Sequence, residues 1–161
     1  MNGTEISKAE ALMLLERIIG MPVTVSVWYG GVLNLEFGDT KDTLITMPGG
    51  KTYMAPKGEY SVSIEGNWVL SNSEGQLFGS EYIDFKDAEK YNNFIGQTKI
   101  LGIDVVENMK VFTFALDEGK EVIVTGTTSE SNGYFYLSSK DKAEDGLFLD
   151  SNFKFKKIPR N

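Results

Sequence analysis

Six carboxylates, Glu36, Glu65, Glu81, Asp84, Asp104 and Glu121, are the side chains of this sequence best suited to chemistry. Two of them facing each other across a sugar could hydrolyse a glycosidic bond, one protonating the leaving oxygen and the other attacking or activating water. The 161 residues include no His and no Cys. Imidazole bases, thiolate nucleophiles, disulfides and the zinc sites that need either residue are therefore excluded. Most of the six acids fall at the polar positions of alternating stretches, where solvated side chains belong. Nothing in their spacing brings a pair to reacting distance. The expectation is a chain with no catalytic residue, no metal and no cofactor, and a carboxylate-based hydrolase is the least favoured of three readings.

Three local patterns come close to known sites and fail on their own mechanics. Gly49-Gly50-Lys51-Thr52 resembles the end of a phosphate-binding loop, but Ile45 stands where the earlier glycine is needed. The segment also leads into no helix whose N-terminus could hold a phosphate. Asp141, Asp145 and Gly146 match part of a calcium loop, yet Ala143 and Asn152 occupy positions that must supply ligands. Ser80, in Gly79-Ser80-Glu81, lacks both a flanking glycine frame and a base to activate it. It reads as a turn ahead of a helix.

Aromatic side chains remain. Trp28, Tyr29, Trp68, Tyr134 and Tyr136 sit on expected strands or at their ends. Tyr and Trp offer large contact areas at small entropic cost, which suits binding anchors. The same rings would equally fill a small β-rich core, and the sequence leaves both assignments open.

Charge narrows the partner. The chain carries 16 basic and 23 acidic residues, a net −7. Lys154, Lys156, Lys157 and Arg160 crowd into residues 151–161 without an acid, so residues 1–150 hold 12 basic and 23 acidic, or −11. Such a body repels a phosphate backbone, because nucleic-acid binding needs clustered Lys and Arg. It attracts a protein with a basic surface, although mild acidity also serves plain solubility. The opening MNGTEISKAE lacks the basic and apolar regions of a signal peptide, and no apolar run approaches the ~20 residues of a membrane span. A cytoplasmic protein with no membrane or nucleic-acid partner is expected; oligomeric state is left open.

The elements that must carry these residues repeat. Ser7 and Glu10 fit a capping box, and Ala11, Leu12, Leu15, Ile18 and Ile19 follow at helical spacing, predicting a helix over 8–19. Gly20 and Pro22 end it. Val23, Val25 and Val27 then alternate with polar residues, and Leu33, Leu35 and Phe37 complete a hairpin across Tyr29-Gly30-Gly31. Residues 48–58, with two Pro and three Gly, predict an irregular loop. Strands are expected at 59–65, 67–72 and 76–78.

A second helix over 85–95, capped by Asp84, ends in Phe94-Ile95-Gly96 as the first ends in Ile18-Ile19-Gly20. Strands at 98–105, 111–116, 121–125 and 134–138 follow, and Phe153, Phe155 and Ile158 mark a last one in the basic tail. The prediction is one α+β, mainly β domain over 1–161. Its internal repeat spans 7–83 and 84–150, two related halves of a short helix followed by antiparallel strands around a shared core, with a basic tail at 151–161.

The segment FIGQTKILGIDVVENMKVFTFALDEGKEVIV, followed by GYFYLSS, resembles a repeat of uncharacterised small bacterial proteins, some of them considered immunity-like proteins of toxin systems. NWVLSNSEGQLFGSEYID is similar to another part of that repeat through Trp68, Leu70, Gly79, Ser80 and Asp84. The resemblance covers 18–139. It implies the duplicated β-rich fold and a non-catalytic protein-binding role, such as a stoichiometric inhibitor, and it supplies no catalytic residue. A carbohydrate or small-ligand module built on the strand aromatics is the second reading.

Overall fold

The computed structural model describes residues 3–27, 32–75, 77–79, 88–95, 98–126, 133–140 and 144–160. A two-residue strand, β1 (Thr4–Glu5), precedes helix α1 (Lys8–Leu15), which tightens into a 3₁₀ turn (Glu16–Ile18). The Ser7 hydroxyl accepts from the Glu10 N–H at 3.2 Å, satisfying one orphan donor of the first turn. Gly20, at φ +84°, turns the chain in a conformation that favours glycine. Strands β2 (Val23–Val27), β3 (Leu33–Phe37), β4 (Lys41–Thr46), β5 (Thr52–Lys57), β6 (Tyr60–Ile64), β7 (Asn67–Ser71) and β8 (Leu77–Gly79) follow. After helix α2 (Ala88–Ile95) come β9 (Ile100–Val106), β10 (Val111–Leu116), β11 (Glu121–Gly126), β12 (Phe135–Ser139), β13 (Gly146–Leu149) and β14 (Phe155–Ile158).

The architecture is α+β and mainly β, with antiparallel strands throughout. A seven-stranded sheet runs β1-β14-β13-β12-β6-β3-β2, and a five-stranded sheet runs β8-β7-β11-β10-β9. The chain changes sheets between β6 and β7 and changes back between β11 and β12. Where β6 leads into β7, a Cβ on Gly66 would collide with the Gly126 carbonyl, so glycine permits the two backbones to meet. In the first sheet β2, β3 and β6 are followed by β12 and β13; in the second, β9, β10 and β11 are followed by β7 and β8.

Alternation puts one face of each sheet into a common core. Val25, Leu35, Val62, Leu137 and Leu147 lie in one row across the larger sheet and are all buried. Phe114, Val122 and Leu70 form the equivalent row of the smaller one. Phe112, Phe114 and Phe135 meet at the centre with ring centroids 4.6–5.8 Å apart. Ala11 and Leu15 of α1 and Tyr91 and Ile95 of α2 are buried in the same cluster. Full burial of side chains this large stabilises by about 1.5–3 kcal/mol each.

One expectation needs correction. Residues 48–58 are not an irregular loop: β4 and β5 pair from Lys41–Lys57 to Thr46–Thr52, turning at Met47–Lys51. Pro56 is tolerated because a two-stranded ribbon has an outer edge where no N–H is required. The basic tail carries the last strand expected of it, β14. β14 lies between β13 and β1, and the Lys156 ammonium sits 3.2 Å from the Asp150 carboxylate. Strand β13 was not foreseen. The turn at Tyr29-Gly30-Gly31, the Asp84 cap and Gly96 lie outside the described residues.

Candidate functional site

The aromatic residues expected to bind separate into three fates. Trp28 and Tyr29 lie outside the described residues. Trp68, on the inward face of β7, is 1% exposed and meets the Tyr91 ring edge-to-face at 5.6 Å. Tyr134, just before β12, is 3% exposed and packs on Phe153 at 5.0 Å. Buried rings have no face left for a partner, so both are core residues. Tyr136 is half-buried on the outward face of the larger sheet. It lines a cleft of about 140 Å³ with Ser138, Glu144, Ile158 and Arg160, small beside the roughly 300–1,000 Å³ of typical ligand sites.

The acids are just as dispersed. Glu81 and Asp84 lie outside the described residues, and Glu65 is half-buried between β6 and β7. Glu36, expected in solvent, is 1% exposed on β3. Its Oε2 accepts from the Ser61 hydroxyl at 2.5 Å and from the Gly58 N–H at 3.1 Å. Burial pushes its pKa up, against the opposing pull of those two donors and of Lys57. Beside it, the buried Asn34 has no partner for its Oδ1 among the described residues. Asp104 and Glu121 are exposed on one sheet face but flank β10, one on β9 and one on β11. Sheet spacing sets their Cα positions about 12 Å apart, two strands across and two residues along, so they are not a facing pair. Among the described residues, no group of three or more acids is placed to hold a metal.

A polar knot ties α1 to the larger sheet. Arg17 donates to the Glu144 carboxylate and the Asp145 carbonyl, each at 3.0 Å, and stacks 5.2 Å over the Tyr60 ring. Tyr60 donates its hydroxyl to the same Glu144 oxygen at 2.5 Å. That bond, with Arg17 assisting, holds the Glu144 carboxyl below its ordinary value, while burial works against them.

The feature with the most surface is the outward face of the five-stranded sheet. Register places Val69, Ile123, Thr113 and Asp104 in one row across β7, β11, β10 and β9. Val111 and Val106 pair in the next row, and Ser71, Glu121, Ala115 and Gly102 form the third. Among the described residues, Ala11 and Leu15 of α1 and Tyr91 and Ile95 of α2 turn both helices to the core, leaving this face without a covering element. It is apolar at its centre, acidic at Asp104 and Glu121, and its four long strands contain no Lys or Arg. Leu101, at the bulge of β9, adds a side chain 62% exposed.

In the sequence this face carries no mark of chemistry, because aliphatic residues are neither reactive nor aromatic. The signal was nonetheless there: IDVV, VFTFAL and EVIV carry apolar side chains on both faces, as covered strands do. Comparison of the chain with family models, with characterised proteins and with solved structures returns no match. No helix among the described residues is long and apolar enough to cross a membrane.

Proposed function

We propose that this protein is a non-catalytic docking module of the cytoplasm, a stoichiometric inhibitor or immunity-type protein that binds a partner with a basic surface. The observation that carries this reading is the outward face of the five-stranded sheet. An apolar patch with charge only at its margin matches the anatomy of protein interfaces, where a dry centre is ringed by polar residues. Its two charges are both acidic, in keeping with the −11 of residues 1–150. Like-signed charge around a patch steers an oppositely charged protein towards it. On this reading the chain is a duplication over 7–83 and 84–150, supported by the common order in which the two sheets are strung.

Affinity capture with Ile123→Lys and with Met13→Lys tests the assignment. Met13 is 68% exposed on α1, away from the face. The reading requires a basic protein retained by wild type and Met13→Lys, lost with Ile123→Lys, and weakened in about 0.5 M salt. Retention by Ile123→Lys would remove the face from the interface.

A further inference from the structure

A bare strand edge presents unpaired N–H and C=O groups, and folded proteins shield such edges by brevity, charge, proline or cover. Among the described residues, one sheet end is left long and without Lys, Arg or Pro. At β2, Asn92 of α2 closes the edge: its Oδ1 accepts from the Val25 N–H at 2.5 Å and its Nδ2 donates to the Val25 carbonyl at 2.7 Å. β1 has two residues and β8 three. The separate β4–β5 ribbon carries Lys41, Lys57 and Pro56. β9 ends the five-stranded sheet with seven residues, ILGIDVV, without Lys, Arg or Pro. Among the described residues, backbone bonds reach its outer side only at Ile100, which accepts from Gly20 at 2.7 Å and donates to Met21 at 3.2 Å.

We infer that the edge of β9 from Leu101 to Val106 receives an extended, basic segment of the partner as an added strand, with a Lys or Arg of that segment beside Asp104. The inference rests on the docking function proposed above and specifies how docking occurs. Main-chain bonds would supply affinity independent of sequence, and alternate side chains would supply specificity. Half of the added side chains would continue the outward face, meeting Asp104 and extending the apolar rows of Val106 and Val111. A second copy of this chain fits poorly. Antiparallel self-pairing centred on Asp104 would set the two Asp104 carboxylates directly opposite each other on one face, and like charges so placed destabilise. Each copy would also carry its net −7.

The probe is an amidated peptide alternating lysine with valine, beside the same peptide N-methylated at every second residue so that it cannot donate along one edge. Binding to the isotope-labelled full chain is followed by amide exchange and chemical shift. The unmodified peptide should slow exchange across residues 101–106, and methylation should abolish that protection. Asp104→Lys should weaken binding about fivefold, and Asp104→Asn, isosteric with the native residue, should weaken it in the same direction. Shifts confined to Val69, Thr113 and Ile123, with exchange at 101–106 unchanged, would overturn the added strand while leaving docking on the face intact. Absence of binding at both face and edge would overturn the inference and count against the docking function as well.

Discussion

Glu36 is an acid placed where an acid is costly. Its folded pKa is raised, so the native state holds the proton more tightly than the unfolded chain. The contribution to stability is present below the ordinary value of 4.5 and is lost as pH rises through the raised folded value. Glu36→Gln keeps an acceptor for Ser61 and Gly58 but carries no charge. Urea unfolding should find the variant about 1 kcal/mol more stable at pH 7, without the decline that Glu36 imposes as pH rises above 4.5. Glu144 has the opposite sign. Its carboxyl is held low, so its stabilisation exists above 4.5 and is lost as pH falls through the depressed value. Tyr60→Phe should cost roughly 1 kcal/mol at neutral pH and flatten the acid limb of the stability curve. The cost is modest because the Glu144 side chain is 45% exposed. Neither role could be read from sequence: alternation assigns a side chain to a face, and only the packing around that face decides whether it is wet.

At the level of elements, the reading of α1 succeeded because its signals are local. Ser7 caps it, a regular apolar stripe builds it, and Gly20 and Pro22 stop it. The β4–β5 ribbon was lost for the converse reason, since Pro56 and the glycine turn are breakers in a central strand but acceptable on a ribbon's outer edge. β13 escaped notice because Gly146-Leu147-Phe148-Leu149 is short and shows no alternation; its partners β12 and β14 make it a strand. Asn92 belongs to this scale too, since one amide substitutes for a missing neighbour strand. Asn92→Ala removes both bonds to Val25, and thermal melts should show a loss of about 1–3 kcal/mol. Light scattering should detect association through the opened β2 edge.

For the molecule as a whole, the exchange of strands between sheets decides cooperativity. β7 comes from the first half of the chain but pairs with β11, carrying β8 on its other side; β12 comes from the second and pairs with β6, carrying β13. A fragment of residues 7–83 would therefore leave β7 without β11 and β6 without β12, stripping cover from Trp68 and Val62. Expressed separately, 7–83 and 84–150 should each give dispersion-poor spectra, while the intact chain unfolds in one calorimetric transition. The order of most elements was legible along the sequence, whereas their assignment to two sheets was not, because pairing between distant strands leaves no local mark. One long-range pairing closes the chain on itself. Thr4 lies opposite Lys157 and Glu5 opposite Lys156, so the first and last strands run side by side along one margin of the larger sheet. Tension applied through the ends would part these two rungs in turn, like a zip, and the first segment to peel away would be the one that carries least of the core.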